Sequence, residues 1–251
     1  MTRPPVNRRP VAVVTGGVEG IGWATTEGLV CDGFHVVLAA RVADDRLAER
    51  IDKLAASGGS AEPFVADVTD PAATNDLYRS VFTNHRRLDA LVANAGVLGD
   101  ARLGMISEQA LHDTFDVNTM GGIRHLQAAA RLMTKAGSGS IVLIGSIMGL
   151  AGNPGQVLYS ASKAALVGAM RSGAKELGPA GVRVNVVAPG YISTRMIEGL
   201  TAELDAERVA NIALGRPGTA SEVASVVRFL CSDAARYVTG QAIGVDGGMV
   251  V

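Results

Sequence analysis

The sequence predicts an α/β fold in which about seven strands form one parallel sheet, doubly wound so that helices cover both faces. Three observations lead there. Short β-branched apolar runs alternate with stretches of helical periodicity along nearly the whole chain. The runs are four to six residues long and separated by helices, which suits parallel neighbours, because these need helical crossovers. Hydrophobic residues make up 48% of the 251 and charged residues 19%, a balance that excludes a disordered chain.

Val11 to Thr15 is the first β-branched run, and glycines separate it from a helix over Ile21 to Cys31. Gly33 ends that helix, and His35 to Ala40 reads as the second strand. Arg46 to Ala56 places Leu47, Ile51 and Leu54 at helical spacing before a Ser-Gly-Gly-Ser stop. A third strand over Glu62 to Ala66, a helix over Pro71 to His85 and a fourth strand over Leu88 to Ala93 follow. Ser107 reads as the cap of one long helix reaching Lys135. Then come a strand over Ser140 to Gly145, a helix over Tyr159 to Leu177 and a strand over Val182 to Ala188. Residues 190–217 are less regular and are expected to form a substrate loop. A helix over Ser221 to Cys231 and a strand over Ala242 to Val245 complete the pattern. Nothing resembles a linker, so residues 11–251 are expected to form one domain after a frayed tail over 1–10.

A formal net charge of −1 offers no field for nucleic acid or an anionic membrane, and no run of 18 apolar residues could span a bilayer. Cys31 and Cys231 lie in apolar helical surroundings and read as buried free thiols in a reducing cytoplasm. His35, His85, His112 and His125 are scattered without metal-ligand spacing, so no metal is expected.

The segment Thr15-Gly16-Gly17-Val18-Glu19-Gly20-Ile21-Gly22 joins a strand end to a helix start. Backbone without Cβ admits a diphosphate there, and the helix N-terminus adds N–H donors and a positive dipole, so nucleotide binding outweighs a plain glycine turn. Farther on, Tyr159 and Lys163 stand four residues apart on one helical face. Tyrosine and lysine ordinarily titrate near about 10 and 10.4, and an ammonium beside a phenol favours the phenolate. Alone, such a pair is more often a surface contact. Ser146 alone would be a turn cap, and Asn118 alone a side chain mending a helix irregularity.

Taken in order, the pattern T-G-x-x-x-G-x-G, Asn94-Ala95-Gly96, Asn118, Ser146, Tyr159 with Lys163, and Pro189-Gly190 resembles the short-chain dehydrogenase/reductase family from Val11 to Gly248. That resemblance implies a Rossmann-type fold and carbonyl reduction by hydride transfer. Tyr159 would be the proton donor and Ser146 would hold the carbonyl oxygen. Lys163 would lower the phenol's pKa and bind the cofactor ribose, while Asn118 would position a relay water. It also implies dinucleotide contacts at Gly16, Val18, Glu19, Gly20, Ile21 and Gly22, at Asp67 and Val68, at Asn94, Ala95 and Gly96, at Tyr159 and Lys163, and at Pro189, Gly190, Ile192 and Thr194.

The second strand ends Ala39-Ala40-Arg41, with a guanidinium where an NAD-selective carboxylate would stand. NADP(H) is therefore expected over NAD(H). Within the family the chain looks most like 3-oxoacyl-[acyl-carrier-protein] reductases of fatty acid biosynthesis, on Asn94 to Asp100, Asn185 to Met196 and Gly240 to Met249. The expected substrate is thus a ketone, free or bound to a carrier protein, with Arg124, Arg131, Lys135, Arg171 and Lys175 as basic docking residues. Another ketone or secondary alcohol, or a non-catalytic dinucleotide-binding role, stays open. Small residues at Ala128, Ala129, Ala130, Gly168, Ala169 and Gly173 suggest close helix pairing in a homotetramer. Met105, Met148 and Met196 are open between lining the pocket and filling the core.

Overall fold

Seven parallel strands lie in the order β3-β2-β1-β4-β5-β6-β9 in a computed structural model that describes residues 9–194 and 202–250. They are β1 (Val11–Thr15), β2 (His35–Ala40), β3 (Ser60–Val65), β4 (Ala90–Ala93), β5 (Gly139–Ile144), β6 (Val182–Pro189) and β9 (Ala242–Val245). Order reverses between β1 and β4, which places a crevice at their carboxyl ends.

Alternation along β1 builds the two layers. Val11 and Val13 point into a core shared with Leu77, Leu126, Met133 and Met170, while Ala12 and Val14 meet Trp23, Leu29, Leu47 and Val227 on the other face. The first layer packs α3 (Pro71–His85), α5 (Gly122–Ala136) and α7 (Val157–Leu177) on the sheet. The second packs α1 (Gly20–Cys31), α2 (Asp45–Ala56) and α9 (Ala220–Cys231). Asp44 starts α2 by accepting from Leu47 N at 3.0 Å, and Thr219 and Glu222 form a capping box on α9.

Several boundaries differ from the expectation. β3 starts at Ser60, two residues before the expected Glu62, because pairing with β2 runs from His35–Ser60 to Ala40–Val65. The expected helix from Ser107 to Lys135 is three pieces, α4 (Glu108–Phe115), a π turn (Asp116–Gly121) and α5. α7 starts at Val157 rather than Tyr159, and a short α6 (Met148–Ala151) precedes it. The segment 190–217 contains β7 (Ile192–Ser193) and α8 (Ala202–Ala210), and β7 pairs with β8 (Gly218–Thr219), which closes the segment at its base. Residues 195–201, Met196 among them, lie outside the described residues, as do 1–8 of the expected tail. Pro10 is tied down, its carbonyl accepting from His35 N at 2.8 Å.

Side-chain placement corrects other readings. Cys31 is exposed rather than buried, since it ends α1 at the turn into Asp32; Cys231 is half-buried, and both thiols are free. Ala128 and Ala129 are buried in the chain's own core and cannot form an outer pairing face, whereas Gly168 is exposed with open space around it. Met105 is exposed and Met148 packs at the edge of the core. Among the described residues no helix is long and apolar enough to cross a membrane.

Candidate active site

Two cavities share the carboxyl edge of the sheet. The larger, about 670 Å³, is lined by Gly16, Val18, Glu19, Gly20 and Ile21 of the turn, by Arg41 after β2, by Asp67 and Val68 after β3, and by Asn94, Ala95 and Gly96 after β4. The smaller, about 120 Å³, is lined by Ser146, Tyr159, Lys163, Pro189, Gly190 and Ile192. Ile21, Asn94, Gly96 and Thr194 line both. A cradle of this kind fits a dinucleotide: at Gly16 (φ +62°) and Gly20 (φ +53°) the chain takes a left-handed turn that glycine allows without strain.

Gly22 lines neither cavity. A Cβ there would run into the Gly16 carbonyl oxygen and come within 2.5 Å of Asn94 Nδ2, so this glycine lets α1 close onto the turn. Asn94 holds the turn, donating from Nδ2 to the carbonyls of Thr15 (3.1 Å) and Gly16 (3.0 Å). Thr15 Oγ1 in turn accepts from the main-chain N–H of Asn94 (3.0 Å) and Ala95 (3.1 Å). β1 and β4 are thus locked where their ends part.

Arg41 is exposed on the cavity wall, and its charge adds to the Thr69 hydrogen bonds that hold the Asp67 carboxyl below its usual range. Asp67 Oδ1 accepts from Thr69 N (2.8 Å) and Thr69 Oγ1 (2.7 Å), which shapes the wall. Glu19 meets Arg46 at 2.8 Å, so its negative charge is offset, and Asp44 is engaged in capping α2. Ala66, Thr69, Asp113, Asp116 and Val117 also line the larger cavity, unforeseen because their side chains carry no motif.

Ser146 and Tyr159 line the smaller cavity together, near enough for the serine to favour the phenolate, and Ser146 Oγ accepts from Met148 N at 3.1 Å. Lys163 is buried, donates to the Ile144 carbonyl at 2.9 Å and sits 5.9 Å from the centre of the Tyr159 ring. Burial pulls its ammonium down to about 8. Burial pushes the Tyr159 phenol up, against the Ser146 hydrogen bond, and the Asp100 carboxylate pushes the same way. The expected acidifying influence of Lys163 is not among the effects acting on this phenol, which desolvation and Asp100 raise and Ser146 lowers.

Asn118 lies in the π turn, where such bulges offset side chains by one residue from the helical register. Its Oδ1 accepts from Val97 N (2.8 Å), and its Nδ2 donates to Val97 O (2.9 Å) and Ser162 Oγ (3.0 Å). Asp100 and Gln156 were not foreseen. Gln156 donates to Asp100 Oδ1 at 3.0 Å and so brings this carboxylate toward Tyr159.

The arrangement can hold a dinucleotide against a hydroxyl pair that faces a carbonyl oxygen. A family model described as "Enoyl-(Acyl carrier protein) reductase" matches residues 16–250. The chain is 39% identical over 241 residues to the 3-oxoacyl-[acyl-carrier-protein] reductase FabG of Thermotoga maritima, covering 96% of this chain and 98% of that one. It is 41% identical over 246 residues to the 3-oxoacyl-[acyl-carrier-protein] reductase of Synechocystis, covering 96% and 97%. The crystal structure of gox2181 superimposes with a TM-score of 0.92 at 36% identity, over 97% of this chain and 96% of that one. The chain belongs to the short-chain dehydrogenase/reductase family and is an NAD(P)-dependent oxidoreductase.

Proposed function

We propose that the protein reduces a 3-oxoacyl thioester, carried on an acyl carrier protein, at the expense of NADPH in fatty acid biosynthesis. The observation behind this reading is that Ser146, Tyr159 and Lys163 share one small cavity that has lining residues in common with the long glycine-lined one. NADPH, when bound, supplies the hydride. Ser146 Oγ holds the carbonyl oxygen through a hydrogen bond that strengthens as charge develops on it. Tyr159, kept protonated by burial, gives its proton to that oxygen. Lys163 holds the ribose hydroxyls and passes a proton back toward Tyr159. Asn118 has its side chain committed to Val97 and Ser162, so the main chain of the π turn is what remains to hold a relay water.

The relatives' names carry the substrate class, and the hydroxyl pair suits a ketone oxygen better than a carbon–carbon double bond. The test is steady-state NADPH oxidation with acetoacetyl thioesters of coenzyme A and of acyl carrier protein, beside a crotonyl thioester and simple ketones. Turnover should be fastest on the carrier-bound acetoacetyl group. Faster turnover of simple ketones moves the assignment to another ketone or secondary alcohol, and NADPH binding without turnover moves it to a non-catalytic role.

Exposed Arg131, Lys135, Arg171 and Lys175 supply basic charge for an acidic carrier, while Arg124 is half-buried and turns toward Val68 O at 3.5 Å. Exposed Gly168 on α7 is compatible with close helix pairing, and we assign a homotetramer in the cytoplasm on that and on the family resemblance.

NADPH is preferred in this reading because Arg41 faces the cavity while Glu19 pairs with Arg46 and Asp44 caps α2. Arg41→Asp should move the NADPH/NADH ratio of kcat/KM toward NADH by about 10–100-fold, the worth of one bidentate charged hydrogen bond. An unmoved ratio means the 2′-phosphate is read elsewhere.

Lys163 also sets a pH dependence. Its folded value of about 8 lies below its ordinary 10.5, so between these two values the unfolded chain holds a proton that the folded one has lost. Its burial cost to stability is thus relieved as pH rises through that window. The ammonium that binds ribose is lost in the same window, so NADPH affinity should fall above about pH 8. Fluorescence titration across the window checks this; a flat profile identical to that of Lys163→Met contradicts it.

A further inference from the structure

Two histidines far apart in sequence meet one carboxylate at the end of the sheet opposite the active site. His35 opens β2, Glu62 is the third residue of the edge strand β3, and His85 closes α3, where Arg86 in the left-handed region (φ 60°) turns the chain away. Glu62 Oε1 lies 2.9 Å from His85 Nε2, and Glu62 Oε2 lies 3.7 Å from His35 Nε2. The rings of His35 and His85 are 4.5 Å apart at their centres. One donor atom from each of the three residues lies within 4.8 Å of the others.

A tetrahedral ion with bonds of about 2.0–2.1 Å sets its donors about 3.3 Å apart. His85 and His35 approach the two Glu62 oxygens to 2.9 and 3.7 Å, with one donor atom from each residue within 4.8 Å of the others, so small side-chain shifts bring the set to that spacing. Two imidazoles and a carboxylate are a donor set of the zinc type, too rich in nitrogen for calcium or magnesium.

A second observation points to a ligand independently of this spacing. His35 is 8% exposed, and its Nε2 is a buried atom with no hydrogen-bond partner. Its other nitrogen, Nδ1, lies 2.8 Å from Ser60 Oγ. Where Nδ1–H donates to that hydroxyl, the Nε2 lone pair points toward a carboxylate that can only accept, and a cation, either a proton or a metal ion, is what joins the two. A serine on the far ring nitrogen is also the outer partner that metal-bound histidines use to fix their tautomer. Glu62 is half-exposed, which gives an ion a path from solvent.

We propose that His35 Nε2, Glu62 and His85 Nε2 form a binding site for one divalent transition-metal ion, zinc in particular, with water as the fourth ligand. The ion ties the edge strand β3 to β2 and to the end of α3. It takes no part in hydride transfer, because this end of the strands is remote from the cavities at their carboxyl edge.

The test uses the untagged full-length protein, stripped with a chelator and then titrated calorimetrically with zinc chloride, with magnesium chloride as the control. One zinc per chain and a melting temperature raised by zinc but not by magnesium are expected. Cobalt in place of zinc should give the visible absorption of a four-coordinate site. Glu62→Gln keeps the side chain's shape and should abolish stoichiometric binding, and Ser60→Ala should weaken it by about 10–100-fold. NADPH oxidation by each variant confirms that it is folded. Absence of stoichiometric zinc binding in the native chain overturns the proposal, leaving a proton as the occupant between His35 and Glu62. Undiminished binding in Glu62→Gln and His85→Gln overturns it equally, by placing the ion elsewhere.

Discussion

Replacing Tyr159 with Phe should lower kcat for ketone reduction by about 10²–10⁴-fold, the usual worth of a positioned general acid, while the Kd for NADPH changes little. The ring stays, so its packing in the smaller cavity stays. What goes is the hydroxyl that shares the smaller cavity with Ser146 and is held in its protonated form by its surroundings. Burial and Asp100 both favour the neutral phenol here, so in the proposed reaction Tyr159 would stay protonated until negative charge develops on the substrate oxygen. Stability should be unchanged or slightly improved, because a buried hydroxyl is removed together with its desolvation. Single-turnover absorbance and NADPH fluorescence, measured on the same preparation, separate the two effects. Comparable turnover in Tyr159→Phe would refute the assigned donor, and lost NADPH binding would show that the hydroxyl positions the cofactor instead.

Gly22→Ala should be the most damaging single-methyl change at the dinucleotide turn, although Gly22 touches neither cavity. The new Cβ would overlap the Gly16 carbonyl oxygen and press on Asn94 Nδ2 at 2.5 Å. Neither can yield alone. The carbonyl belongs to the turn, and Asn94 is held by two hydrogen bonds to Thr15 and one to Gly16, all between 3.0 and 3.1 Å. Overpacking of this kind costs about 1–3 kcal/mol. Because relief requires α1 to move off the turn, NADPH affinity should fall along with stability. Urea unfolding and NADPH titration read the two quantities. A variant with native stability and native affinity would mean that α1 already has slack at this point.

Gly22 also illustrates how the sequence and the folded chain relate. Its spacing in the glycine turn marks it as a member of the motif, yet spacing alone does not distinguish a glycine that faces the ligand from one that admits a helix. The apolar run from Val11 to Thr15 and the full burial of that strand agree because a parallel sheet covered on both faces calls for a near-continuous apolar run. Asn118 stood out in the motif order, but the π turn around it did not: its side chain pairs with Val97, 21 residues away, which local propensity does not carry. The same holds for Asp100, which Gln156 holds where its charge acts on Tyr159, and for His35, Glu62 and His85, which the register of β2 with β3 and the end of α3 bring together. Lys163 Nζ lies 5.9 Å from the centre of the Tyr159 ring, as four-residue spacing implies, but burial of both groups, which sets their titration, is a tertiary property that such spacing does not carry.

The central claim is that Ser146 and Tyr159 direct their hydroxyls at one point above a dinucleotide laid along the carboxyl edge of the sheet. A crystal structure of the protein with NADP⁺ tests this most directly. The account predicts the diphosphate against Gly16 to Ile21, the 2′-phosphate at Arg41, the ribose hydroxyls on Lys163, and the nicotinamide between Pro189 and Tyr159. A dinucleotide seated outside this groove, or the Ser146 and Tyr159 oxygens facing different spaces around it, would contradict the account.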